Sequence, residues 1–328
     1  MKDGECEKDK ACETCESAGR CSEQEKEAHE EARLKERLFH IRHKLMVMSG
    51  KGGVGKSTVA VNLAATLAMD GHRVGILDAD IHGPNIPRML GVDLCALEGT
   101  KDGLRPVEAY PNLTVVSMAL ISHNPDSPIV WRGPIKHNVI KQFLGDVEWG
   151  DLDFLIVDLP PGTGDEPLSV AHLISSVDGS VIVTTPQDVA LLDSRKAVGF
   201  SRLLHIPVLG IVENMSGLVC PHCSKEIPLF KIGGGERAAK ELDVPFLGRI
   251  PIEPDMVELC DQGKPLVWMK PYSRARKAYQ ELAQSVLAKL NGAGLKMEAK
   301  KLRLRYQLKS PIWMQGLTLA LEGPPISS

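Results

Sequence analysis

The stretch Ser49-Gly50-Lys51-Gly52-Gly53-Val54-Gly55-Lys56-Ser57-Thr58 constrains this chain more than any other. It matches G-x-x-x-x-G-K-[ST], the pattern of a phosphate-binding loop. The apolar run Leu45-Met46-Val47-Met48 before it reads as a strand, and the Ala- and Leu-rich run Val59 to Met69 after it reads as a helix. Glycines let the backbone curl until successive N–H groups converge on a phosphate. The helix N-terminus adds partial positive charge at the same point. In this pattern Lys56 reaches the β- and γ-phosphates and the Ser57 hydroxyl joins a Mg²⁺ shell. Lys51 follows the first glycine, where ordinary phosphate loops need no cation. It can reach a phosphate on its own nucleotide or on one held by a facing subunit, or it is a solvated surface lysine.

Further strands deliver polar groups to their C-terminal ends, where α/β sheets bind ligands. Arg73 to Leu77 leads into Asp78 and Asp80; one of these carboxylates can hold a magnesium water and the other orient an attacking water. Phe154 to Val157 ends in Asp158, the acid expected near magnesium, followed by the turn-rich Pro160-Pro161-Gly162-Thr163-Gly164, with Asp165 and Glu166 set to cap the next helix. Val208 to Val212 leads to Asn214, whose amide can read a purine edge or serve a turn. Pro245 to Pro251 reads as a short strand and loop in which Ile250 and Pro251 can wall one face of a base. Strands alternating with helices predict an α/β fold, a mostly parallel central sheet flanked by helices.

Composition narrows the function classes. Net charge is −3 and aromatics are 4%, which argues against a nucleic-acid partner. No apolar run approaches a membrane span, and the acidic N-terminus carries no secretory pattern, so the cytoplasm is expected. Six of the eight cysteines are clustered. Cys6, Cys12, Cys15 and Cys21 form C-x5-C-x2-C-x5-C in a segment with nothing to build a core. Cys220 and Cys223 form C-x-x-C in a short polar insertion, and two thiols supply half of a four-coordinate site. A two-fold dimer would bring four thiols together. Both clusters suit an iron–sulfur cluster or zinc, and C-x-x-C also suits redox chemistry. Cys95 stands alone.

Four regions are expected. Residues 1–22 are the cysteine-rich segment. Residues 23–44 are a charged helical connector that packs weakly. Residues 45–294 form the phosphate-loop domain with the C-x-x-C insertion, inside which 91–112 reads as loop or small hairpin and Tyr272 to Leu290 as an amphipathic helix. Residues 295–328, basic and then apolar with prolines, read as an irregular tail or a small add-on.

K-G-G-V-G-K-S-T, L-D-A-D-I-H-G-P-N-I-P, W-R-G-P, V-D-L-P-P-G-T-G-D, V-E-N-M-S-G and C-P-H-C occur in an order that resembles the Mrp/ApbC-type phosphate-loop ATPases, relatives of MinD, ParA and the nitrogenase iron protein. The resemblance runs from Leu38 to Leu290. It implies ATP and Mg²⁺ held by Gly50 to Thr58. Lys51 becomes the signature lysine and Lys56 the phosphate-loop lysine. Asp80 supports slow hydrolysis, Asp158 lies at the magnesium site, and Asn214 meets the adenine. It implies a homodimer, or a pair with a related ATPase, in which Cys220 and Cys223 bridge a labile [4Fe–4S] cluster destined for apo-proteins. The N-terminal cysteines resemble an extension in the cytosolic cluster-scaffold branch that holds a second [4Fe–4S] cluster; Cys6 stands closer to Cys12 than in that branch. A MinD/ParA-like positioning switch and a zinc-stabilised nucleotide-binding protein are the competing readings.

Overall fold

The computed structural model describes residues 21–81, 83–121, 133–174, 176–220 and 222–309. In chain order the elements are α1 (Glu23–Phe39), β1 (Ile41–Met48), α2 (Lys56–Met69), β2 (Val74–Asp78), α3 (Ile86–Leu90), β3 (Glu98–Gly99), β4 (Leu104–Arg105), β5 (Val107–Tyr110) and β6 (Leu113–Ser117). There follow α4 (Gly133–Gly145), β7 (Leu152–Asp158), α5 (Asp165–Leu173), β8 (Gly179–Thr184), α6 (Asp188–Leu203) and β9 (Val208–Glu213). The last are β10 (Leu218–Val219), β11 (Glu226–Ile227), α7 (Gly234–Glu241), β12 (Phe246–Arg249), α8 (Asp255–Asp261), α9 (Leu266–Met269) and α10 (Arg274–Lys309).

The eight-stranded sheet has the order β12-β9-β8-β1-β7-β2-β6-β5. All its pairings are parallel except β5 with β6. Helices cover both faces, so a central strand such as β8 is buried throughout, with Val181, Ile182 and Val183 at its middle. α2 is small-residue-rich because it packs tightly; from Val59 to Ala68 every residue is buried. The chain leaves β1 toward β2 on one side and places β8 on the other, a topological switch point at the end of β1.

Three expectations change. The connector is not weakly packed. α1 packs on α4, burying Leu34, Leu38 and the side chain of Arg33, which pairs with Asp146 at 3.4 Å. Residues 41–44, assigned to the connector, are the first half of the central strand; Lys44 is tolerated there because its ammonium donates to the carbonyls of Ile41 (2.9 Å) and Leu38 (3.4 Å). Residues 91–112 do contain a small hairpin, β3–β4, and add the antiparallel edge strand β5. Finally, the helix starting at Arg274 continues to Lys309, past the expected start of an irregular tail at 295. Lys, Leu, Met, Glu, Ala and Arg there are strong helix formers. The chain divides into two compact units, Met1–Ser285 and Val286–Ser328.

Candidate functional site

The row of strand ends sets the site. Ser117, Asp78 and Asp158 are register partners at the ends of β6, β2 and β7, and Val47 of β1 pairs with Asp158. The phosphate loop rises from β1 beside this row. Gly53 and Gly55 both have φ 78°, a left-handed backbone that glycine adopts without strain. At Gly55 a Cβ would also lie 2.3 Å from Asn214 Nδ2, so two constraints fix this glycine. At Gly50 a Cβ would lie 2.0 Å from the Asp193 carbonyl oxygen, so the loop is seated against α6. The loop after β7 is tied to it, with Gly162 N–H donating to the Ser49 carbonyl at 2.9 Å.

Lys56 and Ser57 both point at Asp158. Lys56 Nζ lies 2.7 Å from Oδ1, and Ser57 Oγ donates to Oδ2 at 2.5 Å. Lys56 is nearly buried and Asp158 fully so. Asp78 is the second buried carboxylate. Its Oδ2 accepts from Ser117 Oγ at 3.1 Å and Ile86 N–H at 3.3 Å, and its Oδ1 from Asp80 N–H at 3.2 Å. Two buried carboxylates beside one ammonium cannot both ionise cheaply. Burial first, and then the charge of Asp158, push the Asp78 pKa up to about 8. Burial raises that of Asp158 as well, opposed by Lys56. The dyad therefore carries a proton at neutral pH, held on Asp78.

A consequence follows for pH. The folded state keeps the Asp78 proton between the model-peptide value of 3.8 and about 8, whereas the unfolded chain releases it. Stability from this group is therefore complete below 3.8, falls as pH rises through that window, and levels off above about 8. Asp78→Asn mimics the protonated acid and removes the slope. In urea titrations from pH 5.5 to 8.5 the variant should gain on wild type by up to about 1.4 kcal/mol per pH unit. Parallel pH profiles for the two proteins would show that Asp78 is ionised throughout.

The remaining sequence-derived residues sit as follows. Asp80 is half-buried and accepts from Gly83 N–H at 3.3 Å. Lys51 is half-buried, its carbonyl accepting from Ser49 Oγ at 2.8 Å. Asn214 is buried; its Nδ2 donates to the Val54 carbonyl of the phosphate loop at 2.8 Å. Cys220 and Cys223 lie at the tip of the β10–β11 hairpin, closed by Ser224 N–H to the Cys220 carbonyl at 2.9 Å. The N–H groups of Cys223 and His222, and then the Cys223 thiol, donate to Cys220 Sγ and lower its pKa, which favours the thiolate that binds metals. Cys220 and Pro251 share a cleft of about 480 Å³ with Glu253, Asp255, Tyr272 and Arg274. Cys21 directly precedes the α1 capping residue Ser22, while Cys6, Cys12 and Cys15 lie outside the described residues.

The donors fit their groups in kind. A turn of left-handed glycines with a lysine and a serine held on one aspartate suits a magnesium-bound phosphate chain. Two thiols on a tight turn, one of them acidified, suit half of a four-thiolate set. Among the described residues no three His, Cys, Asp or Glu side chains gather as a metal site. Sequence reasoning did not single out Ser117 or Glu213; both end strands of the sheet, the same signal that exposed Asp158.

A sequence profile of the family described as ParA: NUBPL iron-transfer P-loop NTPase matches residues 40–287. An iron–sulfur cluster carrier protein of Methanocaldococcus jannaschii is 45% identical over 285 residues, spanning 87% of this chain and 98% of that protein. One of Methanococcus maripaludis is 47% identical over 280 residues, spanning 85% and 96%. Among solved structures, a nucleotide-binding protein of Archaeoglobus fulgidus in complex with ADP, with cobalt, is 39% identical with a TM-score of 0.64, covering 72% of this chain and 92% of that one.

Proposed function

The chain belongs to the NUBPL iron-transfer P-loop NTPase family of the MinD/ParA/Mrp-ApbC superfamily, and on that premise we propose that it is an ATP-dependent iron–sulfur cluster carrier. The observation that carries the reading is that both halves of such a device leave the same edge of the sheet. The Lys56–Asp158–Ser57 triangle lies at the ends of β1 and β7, and the hairpin bearing Cys220 and Cys223 leaves the end of β9.

In this reading Gly50 to Thr58 wrap the phosphates of ATP, with Lys56 leaving Asp158 to meet them and Ser57 and Asp158 supporting magnesium. Bound MgATP supplies a hydrolysable phosphoanhydride whose cleavage changes the charge in the loop. Asp80, at the rim of the dyad, orients water for a slow hydrolysis. Lys51 faces the phosphates of its own or a second subunit, and Asn214 and Pro251 flank the base. Cys220 and Cys223 hold a [4Fe–4S] cluster as cargo. Two thiols need two more, which a second copy of the chain, or a related ATPase, provides. The cluster leaves by ligand exchange to an apo-protein. Cys6, Cys12, Cys15 and Cys21 hold a second cluster in a separate N-terminal region, 1–22, ahead of the domain through residue 294. No described helix is long and apolar enough to cross a membrane; we assign the protein to the cytoplasm, with neither membrane nor nucleic acid as partner.

The test is anaerobic reconstitution with iron and sulfide, followed by iron, acid-labile sulfide and zinc analysis with visible and EPR spectra. The expected value is about six iron per subunit, four from an N-terminal cluster and a half share of a bridging one, each cluster being four-iron. Zinc without labile sulfide would make the metal structural and end the carrier reading. Nucleotide-dependent binding to lipid or DNA, with no iron taken up, would favour the positioning switch.

A further inference from the structure

Glu213, the last residue of β9, is a fully buried carboxylate. Its Oε1 accepts from Gly233 N–H at 2.9 Å and from the Ser216 hydroxyl, and its Oε2 from Gly235 N–H. Arg249 Nε, at the end of β12, stands 3.5 Å from Oε1. All four partners are donors, and they occupy both oxygens of the one carboxylate. A helix cap for α7 would need the amides of Gly233 and Gly235 alone. Ser216 lies on the other side of the insertion, between β9 and the hairpin. The one side chain therefore holds both stems of the loop that carries Cys220 and Cys223.

The main chain repeats the link. Ile250 N–H donates to the Glu213 carbonyl at 2.9 Å, Ser216 N–H to the Ile250 carbonyl at 2.9 Å, and Ile252 N–H to the Gly217 carbonyl at 2.8 Å. The hairpin base and the segment around Pro251 are thus stitched into one piece. The next residue reaches the opposite way. Asn214 donates its N–H to the Thr184 carbonyl at 2.8 Å and its Nδ2 to the Val54 carbonyl, filling the space that Gly55 leaves. Neighbouring residues on one strand end grip the cysteine hairpin and the phosphate loop.

We propose that Glu213 is the positioning residue of the Cys220–Cys223 pair, and that the Glu213–Asn214 step makes those thiols respond to occupancy of the phosphate loop. The proposal rests on the carrier reading for the location of nucleotide and cargo. Any ligand that moves the Val54 carbonyl or competes for the Asn214 amide shifts the strand end on which Glu213 rides. Because coupling between sites is reciprocal, cargo on the thiols changes nucleotide affinity by the same factor.

The experiment uses full-length, reduced, iron-free protein under argon. N-ethylmaleimide alkylation of the peptide bearing Cys220 and Cys223 is timed by mass spectrometry, with and without ADP and magnesium, with exposed Cys95 as internal reference. In wild type, nucleotide should change the rate at the pair by about fivefold or more, the lower end of typical couplings, and leave Cys95 unchanged. In Glu213→Gln the amide NH₂ opposes one of the bound donors, and the ratio should fall to near one while ADP still binds. Ser216→Ala is a smaller lesion, expected to give an intermediate ratio; it decides the matter if Glu213→Gln does not fold. A full nucleotide response in the variant that folds overturns the proposal, as does an unresponsive wild type. In either case, if reconstituted protein still loses labile iron when Cys220 and Cys223 are replaced, the carrier reading stands without the coupling. If ADP does not bind, or the labile iron is indifferent to those cysteines, both fall.

Discussion

Asp158→Ala is expected to lower folding stability by about 3–5 kcal/mol, the usual cost of removing one partner of a buried ion pair. The reason lies in what is left behind. Lys56 Nζ, 2.7 Å from Asp158 and nearly buried, would keep its charge with only the Ser57 hydroxyl, at 3.3 Å, beside it. Asp78 does not replace the lost counter-ion without paying for its own ionisation, since burial, the first cause of its raised pKa, remains when the charge of Asp158 is gone. Lys56→Met should cost less. It strands a carboxylate, but burial already pushes that carboxylate toward its neutral form, so protonation limits the loss. The order Asp158→Ala below Lys56→Met below wild type can be read from urea midpoints at constant m-value. Saturating ADP with magnesium should widen the gap between Lys56→Met and wild type, because that variant lacks the phosphate contact and gains less from the ligand. If the two variants are equally stable, the ammonium is solvated and the pair contributes little.

The shape of the phosphate loop was legible because its signals are local. A phosphate loop needs glycines at fixed places between a strand and a helix, and the chain writes that within ten residues. Strand ends such as Asp158 were legible for the same reason, since an apolar run that stops on an acid marks its own C-terminus. The coupling of Asp78 to Asp158 was not legible. The two are 80 residues apart in the chain, and only the insertion of β7 between β1 and β2 puts them side by side. Asp78 and Asp80 were read as sharing two roles, a magnesium water and an attacking water, without a sign of which is buried; Asp78 is buried and Asp80 half-buried. Glu213 was hidden differently: two of its donors are backbone N–H groups, which sequence patterns do not report, and a third, Arg249, lies 36 residues on.

Charge misled at both ends of the described residues. The density of Glu, Lys and Arg in α1 suggested a connector that packs weakly. Its apolar residues, though few, fall at Leu34 and Leu38, four apart, and bury one face against α4. Likewise the basic run after 295 suggested irregularity, whereas its helix propensity carried α10 on to Lys309. In the first place the spacing of two leucines decided the structure, in the second the helix propensity of the residues, and in neither did charge.

Replacing Cys220 and Cys223 by serine is expected to remove all transferable iron, lowering reconstituted iron from about six to about four per subunit, since a bridging four-iron cluster shared by two chains contributes two to each. The loss should be complete because a serine hydroxyl does not ionise near neutral pH. The N–H groups of Cys223 and His222 that favour the Cys220 thiolate would find no anion to stabilise. Stability should change little, for the hairpin is held by the β10–β11 pairing and by Glu213, neither of which uses a thiol. The remaining four iron should stay with the cysteine-rich N-terminus and resist transfer, which separates the two populations in one assay with an apo-ferredoxin acceptor. Iron that remains at six and transfers as before would mean that the cargo sits elsewhere, and that the acidified thiol on the hairpin serves another purpose.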